Sequence, residues 1–240
     1  MLHAATSTFS AALTFLPDRK ATQQELFGSG RNAAAIAFAL HLAQRVGLPE
    51  HPAWLWVQDR ASIRLTGRPF IHGLPPALRN GLIHITAARP RDALFALEEG
   101  VRCTDFALVL GELAGDPRAL DFTASRRLSI ACERHGVPLY LVRHDAGPDL
   151  SAARRRWRVA PYPSAPPRWN ARAPGAARWQ VELFRARDLP PGNWMVSEDD
   201  GHYPGQNNLR HAAREPAGAA HPVDLVAMPR HRSLARVRTG

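Results

Sequence analysis

The stretch 28-GSGRNAAAIAFAL-40 decides how the rest of the chain is read. It follows the short run "ELF" and leads into a helical pattern over 33–46, stopped by Gly47 and Pro49. Strand, glycine turn and helix in that order is the layout of a phosphate-binding loop, G-x-x-x-x-G-K-[ST]. There, backbone N–H groups surround the phosphates, the lysine reaches the β- and γ-phosphates, and the hydroxyl binds Mg²⁺. In register, Gly28 is the first glycine, Gly30 and Arg31 lie within the loop, and Ala33, Ala34 and Ala35 stand where the second glycine, the lysine and the Ser/Thr belong. Both functional side chains have become methyl groups.

A nucleotide hydrolase of this kind also needs an Asp at the tip of a buried strand to hold Mg²⁺. The run "FALVLGEL" (106–113) offers Gly111 at that place; Glu112 is adjacent and, by the strand period of two, on the opposite face. Charge-assisted contacts are worth roughly 1.5–3 kcal/mol each, so losing lysine, hydroxyl and acid together removes on the order of 6 kcal/mol, about four decades of affinity. The expectation is a vestigial loop with no catalytic residue, no bound cofactor and no metal. A divergent hydrolase using Arg31 in place of the lysine is the alternative.

Other apolar runs repeat the alternation. "WLWVQ" (54–58), "GLIHIT" (81–86), "FALVLGEL" and "PLYLVR" (138–143) read as strands buried on both faces. Helical patterns cover 92–102, opened by Asp92, and 123–135, opened by Thr123 and closed by Gly136. Alternating strands and helices predict an α/β fold, a mainly parallel sheet with helices on both faces.

Beyond residue 150, "RRRWRVAPYP" and "RWQVELFRARDLPPGNWMVSED" alternate polar with apolar residues, which predicts antiparallel edge strands joined through a proline-rich loop. From Asp199 to Gly240 no periodicity persists, so this segment reads as a disordered basic tail. The expected organisation is an N-terminal extension (1–21), a core (22–198) and the tail (199–240).

The formal net charge of +10 favours polyanionic partners, although all basic residues but Lys20 are arginine. Arg154, Arg155, Arg156, Trp157 and Arg158 combine cations with an aromatic at the start of an edge-like strand, a composition suited to DNA phosphates and stacking. Alternation puts Arg154, Arg156 and Arg158 on one face, Arg155 and Trp157 on the other. A solvated charged edge that discourages aggregation is the competing reading. Tail residues Arg230, Arg232, Arg236 and Arg238 are spaced among small residues, as in a partner-seeking arm.

No run approaches the ~18 apolar residues of a membrane span, and no Lys or Arg precedes Asp18, so no secretion signal is read; the expected location is the cytoplasm. Cys103 and Cys132 lack ligand spacing and read as buried thiols. The histidines His3, His41, His51, His72, His84 and His135 are scattered singly, and no G-x-S-x-G elbow is present, which argues against hydrolase chemistry.

The course from "QQELFGSGRNAAAIAFALHLAQRVG" through "WLWVQD" and "RPRDALFALEEGVRCTDFALVLGEL" resembles the ImuA family, RecA-like and SulA-like proteins of bacterial damage-induced mutagenesis cassettes. The most specific pieces are "LDFTASRRLSIACERHGVP", "ARRRWRVAPYPSAPP" and "RWQVELFRARDLPPGNW", and the resemblance covers 22–198. It implies a RecA-like core with eroded catalytic parts. Asp59 stands near the place of the recombinase glutamate, and the link "RHDAGPDLS" (143–151) is too short for a long DNA-contacting loop. The resemblance further implies a non-catalytic accessory role in SOS-induced translesion synthesis. The implied partners are an ImuB-like Y-family polymerase homologue, RecA and, indirectly, an error-prone C-family DNA polymerase. A SulA-like inhibitor of cell division that binds FtsZ is the alternative from another class.

Overall fold

The computed structural model describes residues 22–45, 48–50, 52–164, 166–167, 170 and 172–198. The extension 1–21 and the segment 199–240, with Arg230, Arg232, Arg236 and Arg238, lie outside the described residues.

Among the described residues eight strands form one sheet: β1 (Gln23–Gly28), β2 (Ala53–Asp59), β3 (Leu82–Ala87), β4 (Phe106–Ala114), β5 (Leu139–His144), β6 (Arg155–Tyr162), β7 (Arg178–Ala186) and β8 (Gly192–Ser197). Their spatial order is β3-β2-β4-β5-β1-β6-β7-β8. The first six in that order run parallel; β7 and β8 close one side antiparallel. Among the described residues the α-helices are α1 (Ala34–Gln44), α2 (Arg60–Thr66), α3 (Pro90–Arg102) and α4 (Phe122–His135).

Every residue of β5 is buried, because helices cover both faces of the sheet, and this is why the strand reads as a continuous apolar run rather than an alternating one. On one face α1 packs Phe38 and Leu42 with Leu26, Trp54, Trp56, Leu110, Tyr140 and Trp157. On the other, α3 and α4 bring Leu97 and Leu128 against Leu55, Val109, Leu139 and Leu141. The predicted α/β class, with its parallel sheet, flanking helices and antiparallel strands near the C-terminus, is what the structure shows.

Three local expectations change. Helix α3 starts at Pro90, with Arg89 as N-cap; Asp92 lies in the first turn and accepts from Arg89 Nε at 3.0 Å. Proline suits a first helical position, whose N–H has no partner in any case. Asp121, not Thr123, caps α4, accepting the Ala124 N–H at 2.7 Å, and Gly136 ends that helix in the left-handed region (φ 75). Helix α2 was hidden by its two-turn length; Asp59 caps it, accepting the Ser62 N–H at 2.7 Å.

The arginine-rich strand is also displaced from its expected place. β6 is interior, paired with β1 in parallel and with β7 antiparallel, while the edges are β3 and β8. Two further strands bury it, and a period of two cannot reveal how many neighbours a strand has. Among the described residues no helix is long and apolar enough to cross a membrane.

Candidate functional site

The glycine loop leaves β1 at Gly28 and enters α1 at Ala34, as the motif requires. Three of its amides, however, are taken up within the loop itself. Ser29 Oγ accepts the Arg31 N–H at 3.2 Å, Asn32 Oδ1 accepts the Ala34 N–H at 3.0 Å, and the Ser29 carbonyl accepts the Asn32 N–H at 3.4 Å. Ala34 and Ala35 are buried under the loop. A Cβ on Gly28 would lie 2.7 Å from the Ala35 Cβ, so the glycine permits close packing of strand on helix.

Gly30 is crowded from the other side: a Cβ there would sit 2.8 Å from an Asp145 carboxylate oxygen. Asp145 follows β5, holds φ 49, and donates its N–H to the Gly28 carbonyl at 2.9 Å. It is the one non-glycine residue of positive φ among those described. A carboxylate against the loop repels phosphate, where an active loop presents a lysine.

Sequence reasoning missed the polar cluster beside this loop. Glu112 is fully buried; its Oε1 accepts from Trp56 Nε1 at 2.6 Å and Gln58 Nε2 at 2.9 Å, and its Oε2 from Thr66 Oγ1 at 3.1 Å. His144 Nε2 lies 2.7 Å from Oε2, and Gln58 Oε1 is 2.9 Å from His84 Nε2. Burial, more than the nearby Arg68, holds the His84 imidazole below its usual pKa. Glu112 shares its face with Leu110 and hence with α1, whereas Gly111 points to the other helical layer, where a Cβ would lie 2.8 Å from Leu97. An acid does survive on the loop's side of β4, with both oxygens engaged by protein donors. Gln58 opposite Glu112 in register is a pairing of two polar residues inside apolar strands, the signal that could have found it.

The arginine run is internally neutralised. Arg154 pairs with Glu133, Arg155 with Asp188 (Nε to Oδ2 3.1 Å), Arg156 with Glu25 (2.8 Å) and Arg158 with Glu182 (2.8 Å). Trp157 is fully buried and donates Nε1–H to Gln24 Oε1 at 2.9 Å. The guanidinium of Arg156 sits between the rings of Phe27 (5.1 Å) and Phe184 (5.3 Å), and that of Arg158 over Phe184 (4.4 Å). Arg156 and Arg158 share a face and Trp157 takes the other, as alternation requires. Arg155, Arg156 and Trp157 are shut in, so exposed guanidinium surface in the run belongs to Arg154 and Arg158 (side chains 32% and 51% exposed). Cys132 is buried, its thiol pushed up to about 12 by desolvation, and Cys103 is half-buried; both are free.

A parallel sheet of this order, with a glycine turn joining an interior strand to its helix, defines a RecA-like α/β protein. No protein-family profile matches the chain. It is 35% identical over 196 residues to protein ImuA of Caulobacter vibrioides strain NA1000 / CB15N, and equally to protein ImuA of strain ATCC 19089, with 75% of this chain and 76% of each relative covered. The chain belongs to the ImuA family.

Proposed function

We propose that this protein is a non-catalytic accessory component of damage-induced mutagenic DNA synthesis, acting in the cytoplasm as an adaptor between an ImuB-like polymerase homologue and RecA. Family membership supports the mutagenesis context. The observation that carries the non-catalytic part is the self-capped loop. Ser29 Oγ and Asn32 Oδ1 hold N–H groups that a phosphate would need, and Asp145 stands against Gly30. A scaffold whose cradle binds itself keeps its shape without a ligand, which suits a docking role.

Any direct DNA contact by the β6 arginines would fall to Arg154 and Arg158, each already shared with a carboxylate. Weak, salt-sensitive contact is the most this pair would supply.

Calorimetry with Mg²⁺-ATP at millimolar concentration should give no heat of binding, and a saturable signal would restore the hydrolase reading. Capture experiments with purified ImuB-like polymerase homologue, RecA and FtsZ should retain the first two. Retention of FtsZ alone would transfer the protein to the division-inhibitor class.

A further inference from the structure

On the face of the sheet that carries α4, a cavity of about 430 Å³ opens between the loop that precedes α4 and the loop that precedes β6. Its floor holds two buried guanidinium groups, Arg143 and Arg156 (side chains 5% and 3% exposed), against one equally buried carboxylate, Glu25. Glu25 is fully used: Oε2 accepts from Arg156 Nε at 2.8 Å and Oε1 from Ser151 Oγ at 2.7 Å. Arg143 donates from Nη2 to the Gly115 carbonyl at 3.1 Å and to Asp116 at 2.9 Å, but Asp116 is half-exposed and screened by water. The Arg143 Nε–H, buried, has no acceptor among the described residues. Two cations over one anion leave the dry part of the cavity short of one negative charge. Burial holds the Arg143 guanidinium below its usual pKa in spite of Glu25 and Asp116.

The rim has a different chemistry. Phe122, at the start of α4, is 42% exposed and Leu150 is 66% exposed, so two large apolar side chains flank the opening. Asp121 and Asp149 also stand on the rim. A nucleic-acid backbone entering here would bring several phosphates past these carboxylates and Asp116. A single carboxylate on an otherwise apolar segment meets that repulsion once rather than at every phosphate, and its neighbours would cover Phe122 and Leu150.

We propose that the cavity between the two loops, floored by Arg143 and Arg156 and flanked by Phe122 and Leu150, is a docking pocket for an acidic side chain next to apolar residues on a protein partner. The proposal deepens the adaptor reading and rests on it. Its test uses a small probe, so that it can fail while partner capture through another surface succeeds.

The isotope-labelled full chain would be titrated with 3-phenylpropionate, with 3-phenylpropionamide and with oligothymidylate, followed by amide chemical shifts. The carboxylate should shift Asp116, Phe122, Ser125 and Ser151, and the amide should bind about tenfold more weakly, the loss expected for one charge-assisted contact. Phe122→Ser and Leu150→Ser, exposed changes that leave the core intact, should each weaken the carboxylate severalfold. Arg143→Gln should abolish discrimination between acid and amide. Equal binding of acid and amide, shifts confined to other surfaces, no binding of the carboxylate, or oligothymidylate displacing it from these residues would each overturn the pocket.

Discussion

Glu112 Oε2 and His144 Nε2 lie 2.7 Å apart with neither side chain exposed to solvent, linking β4 to β5 beside the glycine loop. Around them, Trp56, Gln58 and Thr66 spend their donors on the same carboxylate. This is a buried polar network in which every oxygen lone pair matters, because an unmade hydrogen bond in a dry interior costs the donor its full desolvation.

Glu112→Ala should therefore destabilise the chain by about 3–5 kcal/mol, since four donors lose one acceptor. Urea unfolding measures it. A loss below about 1 kcal/mol would show that the network has no share in stability.

Arg156 and Arg158 are two residues apart in sequence and belong to different energetic classes. Arg156→Ala strands the buried Glu25 and should cost about 3–5 kcal/mol, while Arg158→Ala removes a surface pair with Glu182 and should cost less than about 1 kcal/mol. Similar midpoints for the two variants would contradict the burial that separates them.

Gly28→Ala should destabilise by about 1–3 kcal/mol through overpacking, because the added methyl meets the stub of Ala35, which has no rotamer to yield. The loss should be the same with and without ATP. A stable Gly28→Ala chain would mean that β1 and α1 are not packed as closely as described.

His41 packs on α1 against Trp179, with ring centroids 5.1 Å apart, and burial, aided by Arg45, lowers its pKa from 6.5 to about 4. The unfolded chain takes up this proton near pH 6.5 and the folded chain only near pH 4. Stability is thus complete above the first value and falls on acidification towards the second, by up to about 3 kcal/mol. His84, shifted in the same direction but more exposed, adds a smaller slope of the same sign. The difference between urea midpoints at neutral and mildly acid pH should shrink in His41→Phe. An unchanged difference would assign the acid sensitivity to other groups.

Much of the architecture was legible without coordinates, and for a local reason. Apolar continuity in "PLYLVR", the glycine turn after "ELF" and Gly136 after a helical period are signals carried by neighbouring residues, and the backbone obeys them wherever the segment lies. Helix starts were less legible because Asp92, Thr123 and Asp121 are all acceptable caps, and only the donor's position chooses among them. That the loop lacks the lysine and hydroxyl of a phosphate-binding motif was also plain from three consecutive alanines. What the residues of 154–158 do was decided only on folding. Whether an arginine faces solvent or a buried glutamate depends on which strand lies beside it, and the neighbours of β6 come from positions 24–27 and 178–186, contacts that no local pattern encodes. The same holds for Glu112 with His144 and for the floor of the Arg143 cavity. Charges find their partners across the sheet, and strand order is a property of the whole chain.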